Sequence, residues 1–403
     1  MQKRLVIVCL INFLIAALMG MALRYTFIQP IGLNYRFLTH AHSHVAMLGW
    51  LYLMLYVLII HFFVPEKRPI YNRLFWLTQF AVIGMMLSFP FQGYAAISIS
   101  FSTLHIFCSY YFAYLIWKHH KTESAATKLL LKTSLIFMLL STIGVWCLGP
   151  AVSMLGQASA FYQIAIQFFL HFQFNGWFII GVVAIFFHLL QLQDSKRFGV
   201  FFNLLVTSTI LTLALPVYWF IENNSLLWIN GTGVIIQLAA LFHFLQLIKP
   251  KLPLVLKQHS KLVVHVYSFA IFCFVLKILL QLLSLLPNIS EVIYQHRNFI
   301  IGFIHLTMLG IVSGFIFSFI LQSKLVNRNS SLTFAIYTFI SGFVLTELLL
   351  MVQGGMFYYG KGLILNYYPL LFLFSALLPI GITSLLFNII KNKTHGQKTL
   401  ETS

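Results

Sequence analysis

Acidic side chains are the scarcest chemistry in this 403-residue chain, where seven Asp and Glu stand against 25 Lys and Arg. Charged residues make up only 8% of the sequence and hydrophobic ones 60%, too little charge to cover a water-facing surface. A soluble globule is therefore excluded, and the mean hydropathy of +0.91 describes a polytopic membrane protein. Cysteine is sparse and scattered: Cys9, Cys108, Cys147 and Cys273 lie inside apolar runs and never approach a CxxC spacing. They read as small buried hydrophobes, which excludes a thiolate cluster or a disulfide framework. No small-residue cleavage site follows the apolar run after Met1–Arg4, so that run reads as a retained span. The net charge of +18 does not indicate nucleic acid, because the basic residues sit between apolar runs, where they act as topology signals.

A span needs about 20 predominantly apolar residues. That ruler places helices at roughly 4–24, 39–63, 73–92, 94–117, 129–150 and 161–191, then at roughly 199–220, 227–248, 262–286, 298–322, 332–353 and 367–390. The loops alternate in basicity as twelve spans require. Lys3, Arg4, Lys67, Arg68, Arg73, Lys196, Arg197, Lys324 and Arg328 fall on one side, with the basic stretches 118–132, 249–261 and 391–398. Arg24, Arg36, Arg297 and Lys361 are all the other side carries. The expectation is a multi-pass protein of the inner (cytoplasmic) membrane, with both termini cytoplasmic and residues 391–403 as a polar tail.

Histidine organises the interior. The stretch Leu38–Trp50, LTHAHSHVAMLGW, places His40, His42 and His44 at the mouth of an apolar segment, and histidine in hydrocarbon requires a partner. His44 opens HVAMLG, His171 opens HFQFNG and His305 opens HLTMLG, each with a glycine five residues on: Gly49, Gly176 and Gly310. The histidines fall four spans apart and in the outer half of the membrane. Three diverged four-helix units, about 1–120, 121–255 and 256–390, would produce this pseudo-threefold pattern. A glycine beside a buried ligand fits a closely packed helix or a flat cofactor.

Imidazole binds iron, copper and zinc, and two histidines from different helices can hold a haem from both sides. Arg36, Arg24 and Arg297 are the outer-face cations for its propionates. Against this, His40 and His42 also read as interfacial histidines in water or headgroups, His105 as a further ligand or, in preference, a packed core residue, and His188 and His243 as snorkelling side chains near helix ends. Lys277 and Glu347 are ionisable groups inside spans, compatible with a buried pair, a propionate contact or a proton site. A proton-pumping route through the inner half would use carboxylates, and none falls there.

HAHSHVAMLGW, LHFQFNGW and the position of His305 together resemble the haem-copper oxidase superfamily, the subunit I fold of cytochrome oxidases and nitric oxide reductases, along essentially all twelve spans. The related twelve-span haem- and copper-containing proteins of nitric oxide response are similar too. The resemblance implies three arcs of four helices, His44 (or His42) and His305 as axial ligands of a low-spin haem, and His171 as a relic or variant of an active-site metal ligand for copper. The chain departs from that family in lacking a histidine pair between Gly199 and Phe220, in having one histidine where helix 10 has two, and in carrying Asn175 where a glutamate or tyrosine is expected. These departures put a complete binuclear centre in doubt.

The leading expectation is a haem-binding integral membrane protein in electron transfer or oxygen- or nitric-oxide-related redox chemistry, with a cytochrome or quinol as electron donor. If it is an enzyme, it is a haem-dependent oxidoreductase. The competing readings are a cofactor-free proton or metal transporter using the same histidines with Lys277 or Glu347, and a structural membrane subunit.

Overall fold

A computed structural model describes residues 1–286 and 289–392. Among the described residues twelve helices are long and apolar enough to cross a membrane. They begin with α1 (Lys3–Tyr25), α2 (Tyr35–Phe63), α3 (Pro69–Gln92), α4 (Ala96–His119), α5 (Ala125–Leu155) and α6 (Ala160–Leu189). They continue with α7 (Lys196–Tyr218), α8 (Asn224–Gln258), α9 (Lys261–Leu283), α10 (Arg297–Leu321), α11 (Ser330–Tyr358) and α12 (Tyr367–Lys391). The protein is an all-α polytopic membrane protein, as the sequence predicts, with no strand among the described residues. Of the expected polar tail only Lys391 and Asn392 fall within the described residues.

Several helices start a few residues before their apolar windows, and polar caps set those starts. Asn34 accepts from the Phe37 N–H, Ser195 from the Phe198 N–H and Asn329 from the Leu332 N–H, each satisfying one of the orphan donors of a helix N-terminus. An apolar window reports only the hydrophobic part of a span, whereas a polar cap extends the helix beyond it. Two features carry no such signal and are absent from the sequence reading. α8 runs past its apolar stretch through a tightened 3-10 turn at Lys249–Lys251 into the short helix Leu252–Gln258, and a further short helix, Ile289–Gln295, precedes α10.

The chain forms two compact units. The first comprises Met1–His61, Glu66–Cys108 and the chain from Ile316 onward; the second comprises Phe62–Pro65 and Ser109–Phe315. Within the first, α1 packs on α2 and α12, and α11 on α12, around a cluster in which the Phe13 ring stacks on Trp50 at 4.5 Å and meets Phe317 and Phe339 edge-on or tilted. Within the second, α6 is the hub: α5, α7 and α10 pack against it, and Phe186 and Phe187 bring in Phe244 of α8 and Tyr267 of α9. Cys9, Cys108 and Cys273 are buried, as expected of small core hydrophobes, whereas Cys147 is only half-buried; all four are free.

Three helices stand apart in their enclosure. In its most apolar window α2 is 78% buried, α6 72% and α10 61%, while no other span exceeds 50%. These are the helices that carry His44, His171 and His305.

Candidate functional site

Each of the three histidines ends an α-helical segment and is followed at once by a π-helical one. His44 precedes Val45–Tyr52, His171 precedes Phe172–Phe178 and His305 precedes Leu306–Val312. A π turn takes an extra residue into each hydrogen-bonded loop, which widens the helix and disturbs the i→i−4 ladder; such turns are uncommon and concentrate at functional sites. Disturbed carbonyls are costly in hydrocarbon, and side chains meet them here. Asn12 donates to the Gly49 carbonyl at 2.9 Å, Asn175 to the His171 carbonyl at 3.2 Å and Ser313 to the Met308 carbonyl at 2.8 Å.

The glycines of the first two strings, Gly49 and Gly176, serve packing. A methyl group on Gly49 would sit 2.9 Å from Val82 and 3.1 Å from Asn12, and one on Gly176 would sit 2.5 Å from the Phe137 Cβ. Neighbouring helices fill both positions, which decides between the close-packing and flat-cofactor readings for Gly49 and Gly176.

The α2 histidines divide by helical face. His40 and His44, one turn apart, face the α3 end and the following loop, where the Phe89 ring stacks on His44 at 4.3 Å and Tyr94 lies edge-on to His40 at 4.7 Å. His42 points the opposite way, its Nδ1 bonding the Ala16 carbonyl at 2.8 Å and its ring pressed over Gly20 of α1. The three are therefore no single ligand cluster. His44 Nδ1 bonds the His40 carbonyl at 2.8 Å. A carbonyl only accepts, so Nδ1 carries the proton and Nε2 presents its lone pair; the Tyr94 hydroxyl lies 3.4 Å from that nitrogen. This is the arrangement that orients a metal-ligating histidine, and it fits an axial ligand.

His171 is held differently. Its Nε2 donates to the Thr209 carbonyl of α7 at 2.7 Å, and the Asn175 amide stands 3.4 Å from Nδ1. Ligation through Nε2 would require breaking the bond to Thr209. Beside it Asn175, Thr209 and Gln237 line a cavity of about 10 Å³, room for one water and far too small for a macrocycle. Asn175 Oδ1 and Gln237 Oε1 are both buried without a hydrogen-bond partner. Among the described residues no group of three or more His, Cys, Asp or Glu is placed to hold a metal. The residues around His171 therefore do not fit a copper site in this conformation.

His305 is half-buried in the second unit, whereas His44 belongs to the first. Arg36 and Arg297 are exposed near the N-terminal ends of α2 and α10, each eight residues before its histidine, which is about 12 Å along a helix. Arg24, the third of these arginines, acts electrostatically on Glu347 of α11. Lys277 is fully buried in α9; its ammonium donates to Gln281 at 2.8 Å and lies 5.3 Å from the Phe303 ring centre. His105 is buried edge-on to Tyr52 at 4.6 Å, a packed core residue as expected.

The sequence marks the histidines and glycines but not the residues that support them. Asn12 and Gln79, joined by hydrogen bonds of 2.7 and 3.1 Å in the core of the first unit, were legible only as two polar residues within apolar spans. Compared with models of known protein families and with curated proteins, the chain matches none.

Proposed function

We propose that this polytopic membrane protein binds haem, with His44 and His305 as its candidate axial ligands. The observation that carries the reading is the π turn that starts directly after each of His44, His171 and His305, on the three most enclosed helices of the chain. A distortion repeated three times at a histidine is more than packing asks for, and π turns mark functional positions. The donor chemistry of His44 supports it further, since the Nδ1 bond to the His40 carbonyl leaves Nε2 for iron. Arg36 and Arg297 each stand eight residues before a candidate ligand and each has the chemistry to pair with a propionate.

The same repetition favours the pseudo-threefold architecture of four-helix units and, with it, a kinship with oxidase subunit I. Haem supplies electron transfer or binding of a small gas, which places the protein in redox chemistry of oxygen or nitric oxide, fed by a cytochrome or quinol. His171, bonded to Thr209, acts in this reading as a structural tie. The basic loops support a cytoplasmic side for both termini. The test is the absorption spectrum of the full-length protein purified after expression with ample haem. A Soret band at stoichiometric haem is expected, and a colourless protein sinks the proposal.

A second reading is supported by Lys277, a cation fully buried in α9 with a neutral amide as its hydrogen-bond partner. Intramembrane ionisable groups mark ion or proton pathways by default, so a cofactor-free transporter is the alternative. Proteoliposomes carrying the protein would then show a proton or metal flux that Lys277→Met abolishes.

A further inference from the structure

In the first unit, the start of α1, the last turns of α2 and the start of α3 surround a cavity of about 210 Å³. One wall is apolar, from Leu5, Val57 and Ile60. His61, Lys67 and Arg68 supply the opposite chemistry, and no carboxylate lines it. The Met1 ammonium and Lys67 both stand within electrostatic reach of the His61 ring, so several cationic groups gather at one end of the cavity. Glu66 does pair with Arg68 at 2.9 Å, but both side chains are more than half exposed, and such a pair contributes little. The N-terminus of the 24-residue α3 opens beside the cavity, with Arg68 at its N-cap making no side-chain cap bond, and adds the positive end of a helix dipole.

A chamber with a basic mouth and an apolar flank at the ends of transmembrane helices has the chemistry of a headgroup site. Its volume is below that of pockets that enclose whole drug-sized ligands, and suits a phosphate with the first atoms of its glycerol. We propose that this cavity binds the phosphate of an anionic phospholipid, with Lys67 and His61 facing the phosphate and Leu5, Val57 and Ile60 the start of the acyl chains. A lipid is favoured over a soluble phosphate because the apolar wall belongs to the spans themselves. The proposal stands whether or not the protein carries a cofactor.

The full-length protein in detergent is titrated with phosphatidylglycerol or phosphatidylcholine, and bound lipid is counted by native mass spectrometry. Tighter binding of phosphatidylglycerol is expected, weakened about fivefold by Lys67→Gln and again by Arg68→Gln. Lys128→Gln, which removes an exposed cation outside this cavity, should leave it unchanged. Equal binding of the two lipids, or an equal loss in the Lys128 variant, overturns the proposal. Displacement of the bound lipid by equimolar inorganic phosphate overturns it in favour of a soluble ligand.

Discussion

The side-chain amide of Asn12 in α1 donates to the backbone carbonyl of Gly49, inside the first π turn of α2, at 2.9 Å. The same Nδ2 donates to Gln79 of α3 at 2.7 Å, and Gln79 returns a bond to Asn12 Oδ1 at 3.1 Å. One asparagine thus holds three helices together at the level of the distortion that follows His44. Asn12→Leu keeps the volume but strands the Gly49 carbonyl and the Gln79 amide in a buried setting, at a cost of about 1–3 kcal/mol. Thermal unfolding in detergent should show a transition lowered by several degrees, and an unchanged transition would mean that the bond contributes nothing.

Close approach at the glycines gives a second expectation. A Cβ on Gly176 would press into Phe137 at 2.5 Å, while one on Gly149 of α5 meets nothing within 4 Å. Gly176→Ala should destabilise by about 1–3 kcal/mol through overpacking. Gly149→Ala should be neutral, or stabilising by up to about 1 kcal/mol through helix propensity. The pair is compared by the fraction of protein that stays monodisperse after heating; equal losses would remove the packing account of Gly176.

The twelve spans were legible because the bilayer imposes one length and one composition on every crossing, so the windows 4–24 and 332–353 already lie within α1 and α11. The three histidines were legible because a costly group in hydrocarbon stands out against Val45, Met47 and Leu48. The π turns were not legible, since Val45–Tyr52 has nothing in its composition that separates α from π winding; the difference lies in which carbonyl each N–H finds. His42 illustrates a second limit. Its separation from His44 depends on helical phase and on the presence of Gly20 in α1, a contact between residues 22 positions apart that no local pattern reports.

Lys277 separates the two functional readings. A buried cation held by a neutral amide and a ring is expensive to maintain, and replacing such a group with an apolar one of similar volume is often neutral or stabilising. Under the haem reading Lys277→Met should raise or preserve stability and leave the Soret band in place. Under the transporter reading it should preserve stability and abolish flux. A variant that loses the Soret band while remaining folded would move Lys277 into the haem site itself.

The most discriminating comparison is between His44 and His171, because the two histidines share a string and a π turn but differ in what their ring nitrogens do. His44 Nδ1 is engaged by the His40 carbonyl at 2.8 Å, so the lone pair lies on Nε2, where the Tyr94 hydroxyl makes only a long contact of 3.4 Å. His171 Nε2 is engaged by Thr209 across to α7, so removing the ring should break a buried tie rather than a ligand. His44→Ala should therefore lose the low-spin haem spectrum at nearly unchanged helicity. His171→Ala should keep that spectrum and unfold about 1–3 kcal/mol more easily. Full retention of haem in both His44→Ala and His305→Ala would refute the ligand assignment, and loss of haem in His171→Ala alone would transfer the ligand role to α6.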